Sequence, residues 1–155
     1  MIKVEVSEVI RRPIEEVFAF VTDYRNDVRW QDGLLEVRLT PDGAAGMGTL
    51  VHEVRKFMGR RIESTGVITE YIPNVKVARK TVEGPNEVEG YTTFEKVEID
   101  GEGSSSTKVT THMEMKAGGF MTVAEPLVSS GLRRGLQKNF GDLKDLLESG
   151  VLSTE

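Results

Sequence analysis

The chain has 155 residues, 29% of them charged and 38% hydrophobic, with a formal net charge of −5. This is the composition of one soluble globular domain with a single core. Basic and acidic residues are interspersed, so there is neither the basic stripe of a nucleic-acid partner nor a polybasic membrane anchor. There is no cysteine, which excludes disulfides, thiolate zinc sites and cysteine nucleophiles. No apolar run approaches the ~20 residues that span a bilayer, and no basic-then-apolar leader is present. Integral membrane association is therefore not expected, and the cytoplasm is the expected location.

The first element alternates: Ile2, Val4, Val6 and Ile10 are apolar, while Lys3, Glu5 and Ser7 are polar. That is a half-buried strand. Arg12-Pro13 ends it, and Pro13 suits the first turn of a helix whose positive end Glu15 and Glu16 complement. Ile14, Val17, Phe18 and Val21 give that helix its apolar stripe. Asp23 to Trp30 reads as a second short helix, with Val28 and Trp30 as its anchor, in a V with the first.

Strand patterns then follow one another: Leu35, Val37 and Leu39; Thr49 to Met58; Arg60 to Ile72; Val75 to Val82; Val88 to Ile99; Thr107 to Lys116. They are separated by Pro41-Asp42-Gly43, Gly59, Pro73-Asn74, Gly84-Pro85-Asn86 and the polar tract Asp100 to Ser106. Turns this short imply antiparallel pairing. Gly118-Gly119 breaks the pattern before a long amphipathic helix, roughly Gly119 to Ser149. Its stripe is Leu132, Leu136, Phe140, Leu143 and Leu147, with Leu146 beside it. Pro126 is expected to kink its first half, and Val151 to Glu155 to form a tail beyond a single domain of residues 1–150. A long amphipathic helix after a run of strands needs a sheet to lie on, so any functional cavity is expected between the two.

In this order the chain resembles the START-like (SRPBCC) superfamily, nearest its polyketide cyclase/dehydratase and lipid-transport group. The residues that carry the likeness are Arg12-Pro13-Ile14-Glu15-Glu16-Val17-Phe18, Asp23 with Trp30, and Gly46-Met47-Gly48-Thr49. Gly59, Glu70-Tyr71-Ile72-Pro73 and Asn139-Phe140-Gly141-Asp142-Leu143-Lys144 complete it. The resemblance implies an α+β helix-grip fold, in which a curved antiparallel sheet of about seven strands wraps the C-terminal helix. It also implies a cavity for an apolar or amphipathic molecule between sheet, helix and the two short helices.

Candidate cavity residues are Trp30, His52, Tyr71, Tyr91, Met113, Met115 and Phe120. Trp30 plugs the core or walls the ligand. Tyr71 and Tyr91 offer hydroxyls or cross-strand packing. Met113 and Met115 share the inward face of the last strand, soft enough for a variable pocket, while His112 falls on the outward face. His52 is open, because both faces of its strand carry apolar residues: inward it holds or deprotonates a ligand, outward it is structural. Phe120 stands where strand hands over to helix, and ligand entry is expected between Phe120 and Val128. Arg55, Lys56, Arg60 and Arg61 cluster at the Gly59 turn, as a solvated tip or a seat for an anionic group.

His52 and Glu53 are adjacent and point to opposite faces of a strand, and no metal motif, nucleophile elbow, phosphate loop or dinucleotide fingerprint occurs. No metal or cofactor is therefore implied. The leading expectation is binding or carriage of a small hydrophobic molecule. A polyketide cyclase or dehydratase using His52, Tyr71 or Tyr91 as acid or base is the first alternative, and a protein-interaction module with a vestigial cavity is the second.

Overall fold

The computed structural model describes residues 1–57, 59–98, 105–116 and 125–149. Strand β1 (Ile2–Ile10) leads into helix α1 (Ile14–Thr22) and a 3-10 helix (Tyr24–Arg29). Then come β2 (Leu34–Thr40), β3 (Leu50–Phe57), β4 (Arg60–Ile72), β5 (Lys76–Glu83), β6 (Glu87–Glu98), β7 (Ser105–Lys116) and helix α2 (Glu125–Glu148). The strands form one antiparallel sheet in the order β1-β7-β6-β5-β4-β3-β2. Among the described strands, only the pairing of β1 with β7 joins strands distant in sequence. This is the expected α+β helix-grip architecture.

Directly opposed residues share a face, so the register identifies the inner face strand by strand. Val4 faces Met113, which faces Gly90, which faces Arg79. Arg79 in turn faces Ile68, and Gly66 beside it leads through Val51 to Leu39. On this face Ile2, Val4, Val6, Val77, Phe94, Val109 and Met115 pack against Val17, Phe18 and Val21 of α1 and Phe140, Leu143 and Leu147 of α2. Tyr24, Leu39, Val51 and Ile68 make a second, smaller cluster under the 3-10 helix.

Helix α2 is fastened by its C-terminal half. Lys144 Nζ donates to the Val9 carbonyl at 2.7 Å, and Arg11 N–H donates to Glu148 Oε2 at 2.8 Å. Arg12 Nε reaches the Leu147 carbonyl at 3.0 Å. The last turn has no basic residue of its own, so Arg12, from the β1–α1 corner, supplies the cation that the negative end of the helix favours.

Several expectations need correction. Pro126 is the second residue of the helix as described from Glu125, so the kink expected at it lies at the edge of the described residues. Val28 is 43% exposed while Asp27 is buried at 2%. Leu35 is 53% exposed, because a register shift between Leu34 and Glu36 places Leu34 inward instead. Ser105 and Ser106 belong to β7 rather than to the preceding loop. The expectations for Met58, Ile99, Gly118-Gly119, Phe120 and the tail from Val151 fall outside the described residues.

Candidate functional site

The sheet separates the expected cavity residues into two groups. Trp30, Tyr71, Met113 and Met115 lie on the helix side. Trp30 is buried against Phe140, ring centroids 5.9 Å apart, and Tyr71 meets the Phe18 ring edge-on at 5.5 Å. Met115 is buried and Met113 half-buried. His52 and Tyr91 lie on the opposite face. His52 is held between Thr40 Oγ1 at 2.9 Å and Thr65 Oγ1 at 3.0 Å, a structural bridge from β2 to β4. Tyr91 stacks on His112 at 4.5 Å with Lys76 Nζ over its ring, and His112 Nδ1 is 2.8 Å from Glu5 Oε2. His52 and Tyr91 are thus on the far side of the sheet from the space under the helix, not on its inward face. Of the basic residues near Gly59, Lys56 and Arg61 oppose each other and are exposed, whereas Arg55 turns inward.

That inward arginine belongs to a group of charges that patterning did not single out. Glu53 Oε1 accepts from Arg55 Nη2 at 3.2 Å, and its Oε2 accepts from Arg79 Nη2 at 3.4 Å. Arg55 Nη2 also donates to Gln31 Oε1 at 3.0 Å. The Arg79 guanidinium lies 5.2 Å from the centroid of the Tyr24 ring. Gly66 makes this possible: a Cβ there would sit 3.1 Å from Arg79 Cγ and 3.2 Å from the Lys80 carbonyl. The arginine stem occupies the space that a side chain would need. A signal did exist in the sequence, since Val51, Glu53 and Arg55 alternate on one face, as do Val77 and Arg79.

Electrostatics mark the same group. Burial pushes the Asp27 carboxyl up to about 8, with Arg79 pulling the other way and Glu53 adding to the rise. Burial also pushes the Tyr24 hydroxyl up to about 12 against the pull of Arg79. Burial would raise Glu53 too, but the charges of Arg79 and Arg55 and their hydrogen bonds hold it below its ordinary value. Asp27 Oδ1, Arg79 Nη1 and Trp30 Nε1 are buried with no hydrogen-bond partner, and such groups are costly when left unmet.

Around these charges the inner face is not fully covered. Tyr71, Val88, Thr92, Thr111 and Met113 are half-buried although they face α2. Val128, Leu132 and Leu136 in the first half of α2 are half-buried as well. Gly90 lies opposite Met113, where any Cβ would come within 2.7 Å of the His112 carbonyl, so no side chain projects there. An open cleft of about 430 Å³ lies at the β5–β6 turn, lined by Thr81, Gly84, Glu89 and Glu114 among others, with Val88 between it and the inner face. It holds none of the buried charges. Among the described residues no group of three or more histidine, aspartate or glutamate side chains is placed to hold a metal ion. No helix among them is long and apolar enough to cross a membrane.

The fold is widely shared. A START superfamily protein from Mycobacterium smegmatis superposes with a TM-score of 0.72 at 14% identity, over 96% of this chain and 99% of its own. The Zhui aromatase/cyclase from Streptomyces sp. R1128 gives 0.70 at 15%, over 96% and 94%. A protein from Thermus thermophilus gives 0.73 at 15%, over 96% and 99%. At such identity the likeness is one of fold. No curated protein matches the chain by sequence. The sequence model for polyketide cyclase/dehydrase and lipid transport proteins, however, matches residues 1–148. With its seven-stranded sheet and C-terminal helix, the chain is a member of the polyketide cyclase/dehydrase and lipid transport family.

Proposed function

We propose that the protein binds a small hydrophobic or amphipathic molecule between the inner face of the sheet and the first half of α2. Family and fold support a ligand-binding or cyclase-like role. One observation carries the narrower reading. Apolar side chains that face the helix, Met113, Val88, Leu132 and Leu136, keep solvent exposure beside partly exposed charges. An apolar wall with a few convergent polar groups is how small-molecule sites are built. Burial of the ligand's apolar surface would drive binding, at about 25 cal/mol per Å² before ordering costs.

The test is fluorescence titration with the neutral probe N-phenyl-1-naphthylamine. Met113→Asp puts a charge on the wall and is expected to weaken binding at least tenfold with the circular dichroism spectrum unchanged. Tyr91→Ala, on the outer face, is expected to leave it as it was. Undiminished binding by the folded Met113→Asp variant would remove this reading. Native mass spectrometry of protein purified from its own host should then show a consistent retained mass.

A cyclase/dehydratase-like activity is the second reading, favoured by the buried Asp27 carboxyl that keeps its proton to about 8 beside Arg79. An acid so placed suits proton donation to a leaving hydroxyl. Asp27→Asn would then abolish turnover of a poly-β-keto substrate while leaving naphthylamine binding intact.

A further inference from the structure

We infer that the ligand is an anionic amphiphile whose single carboxylate sits on the guanidinium groups of Arg79 and Arg55, in competition with Asp27 for them. The inference rests on the binding reading above and specifies the ligand's chemical class.

The argument begins with charge matching inside the cluster. Two guanidinium groups, Arg55 and Arg79, share one ionised carboxylate, Glu53, whose two oxygens are each occupied by one of them. While Asp27 keeps its proton, one positive charge is unmatched in a site mostly closed to water. Buried charge without a partner is among the costliest arrangements a protein can hold. Arg55 nevertheless remains reachable, its side chain 31% exposed against 11% for Glu53, whereas Arg79, although its side chain is also 31% exposed, keeps its Nη1 buried and without a partner. Both arginines project from the same face as half-buried Tyr71 and Met113, so an apolar chain lying along that wall would carry its head group to them. Arg79 Nη1 and Asp27 Oδ1, both buried without partners, leave a donor and a carboxyl oxygen unmet.

The positive charge can be matched in two ways. Asp27 can give up its proton, or an external anion can take the place. The groups that act on Asp27 are Arg79 from β5, Glu53 and Arg55 from β3, and Tyr24 and Asp23 from its own segment. Tyr71 from β4 reaches it through Tyr24. Ionised Asp27 and a bound anion therefore compete for the same cations, and by linkage an anion favours the protonated aspartate.

The experiment compares decanoate, ionised throughout this range, with decanol of the same chain length, by displacement of N-phenyl-1-naphthylamine from the whole chain between pH 6.5 and 9. Decanoate is expected to bind at least tenfold more tightly than decanol at pH 6.5, and to lose several-fold in affinity by pH 9. Decanol should show no such trend. Asp27→Asn, which cannot ionise, is expected to flatten the decanoate profile. Arg79→Met is expected to erase the preference for decanoate while decanol still binds, which separates loss of the charge from loss of the fold. Equal affinity for the two chains, or a pH trend that survives Asp27→Asn, would overturn the inference. If the naphthylamine binds and neither decyl ligand displaces it, the inference falls and the binding reading stands. If the naphthylamine itself fails to bind, both fall.

Discussion

Asp27 is the residue at which burial and charge disagree most. In the unfolded chain its carboxyl titrates near the ordinary value of 3.8, in the folded chain at about 8. Between these values the folded state holds a proton that the unfolded state has released, so stability falls as pH rises, by up to about 1.4 kcal/mol per pH unit. Glu53 works in the other direction. Its lowered value makes a contribution that is present above its ordinary range and is lost as pH falls through the folded value. Urea denaturation from pH 5 to 9 should therefore show declining stability in the native chain and a shallower decline in Asp27→Asn. An unchanged slope in the variant would exclude Asp27 as the source. The position of this residue was not legible from a helical period of 3.6, which turns Val28 inward. The segment is a 3-10 helix, in which residues three apart eclipse; Tyr24 and Asp27 therefore share the buried face and Val28 is left outside.

At the scale of elements, α2 has two unlike halves. Leu143 and Leu147 are fully buried, whereas Leu132 and Leu136 are partly open. Leu143→Ala should cost about 2–5 kcal/mol, as large-to-small changes in a closed core do. Leu132→Ala should cost about 1 kcal/mol or less, because it removes less contact and leaves no sealed void. Chemical denaturation of the two variants checks the difference; equal losses would mean that both halves are equally seated. Gly66→Ala on β4 should cost about 1–3 kcal/mol by pressing on Arg79 and the backbone beside it. Strand alternation made most of this legible, from Ile2 to Val6 and from Val109 to Met115. It failed at Leu35, where the shift between Leu34 and Glu36 resets the period. It could not orient His52, since apolar residues occupy both faces of β3. Only the threonines on β2 and β4 settle which way that ring turns.

For the whole molecule, the order of elements and the short turns pointed to an antiparallel sheet under a long helix, and the resemblance of the motifs placed the chain among helix-grip folds. Which inner-face residues stay uncovered was not legible, because that depends on where α2 comes to rest and not on any local pattern. The pairing of β1 with β7, flanked by α2 on β1, has a consequence for synthesis. On the ribosome, residues 2–10 emerge well before β7, their strand partner among the described residues, which comes about a hundred residues later, and before α2, which comes later still. Until then Ile2, Val4 and Val6 have only the short helix α1 to pack against, and the nascent chain carries an unsatisfied sticky edge. The chain should therefore fold late, in one step. A force-sensitive arrest peptide fused downstream should be released strongly only once Leu147 has cleared the exit tunnel, with little release when β6 alone is out. Substantial release at the earlier length would mean that β2 to β6 fold without waiting for the strand that closes the sheet.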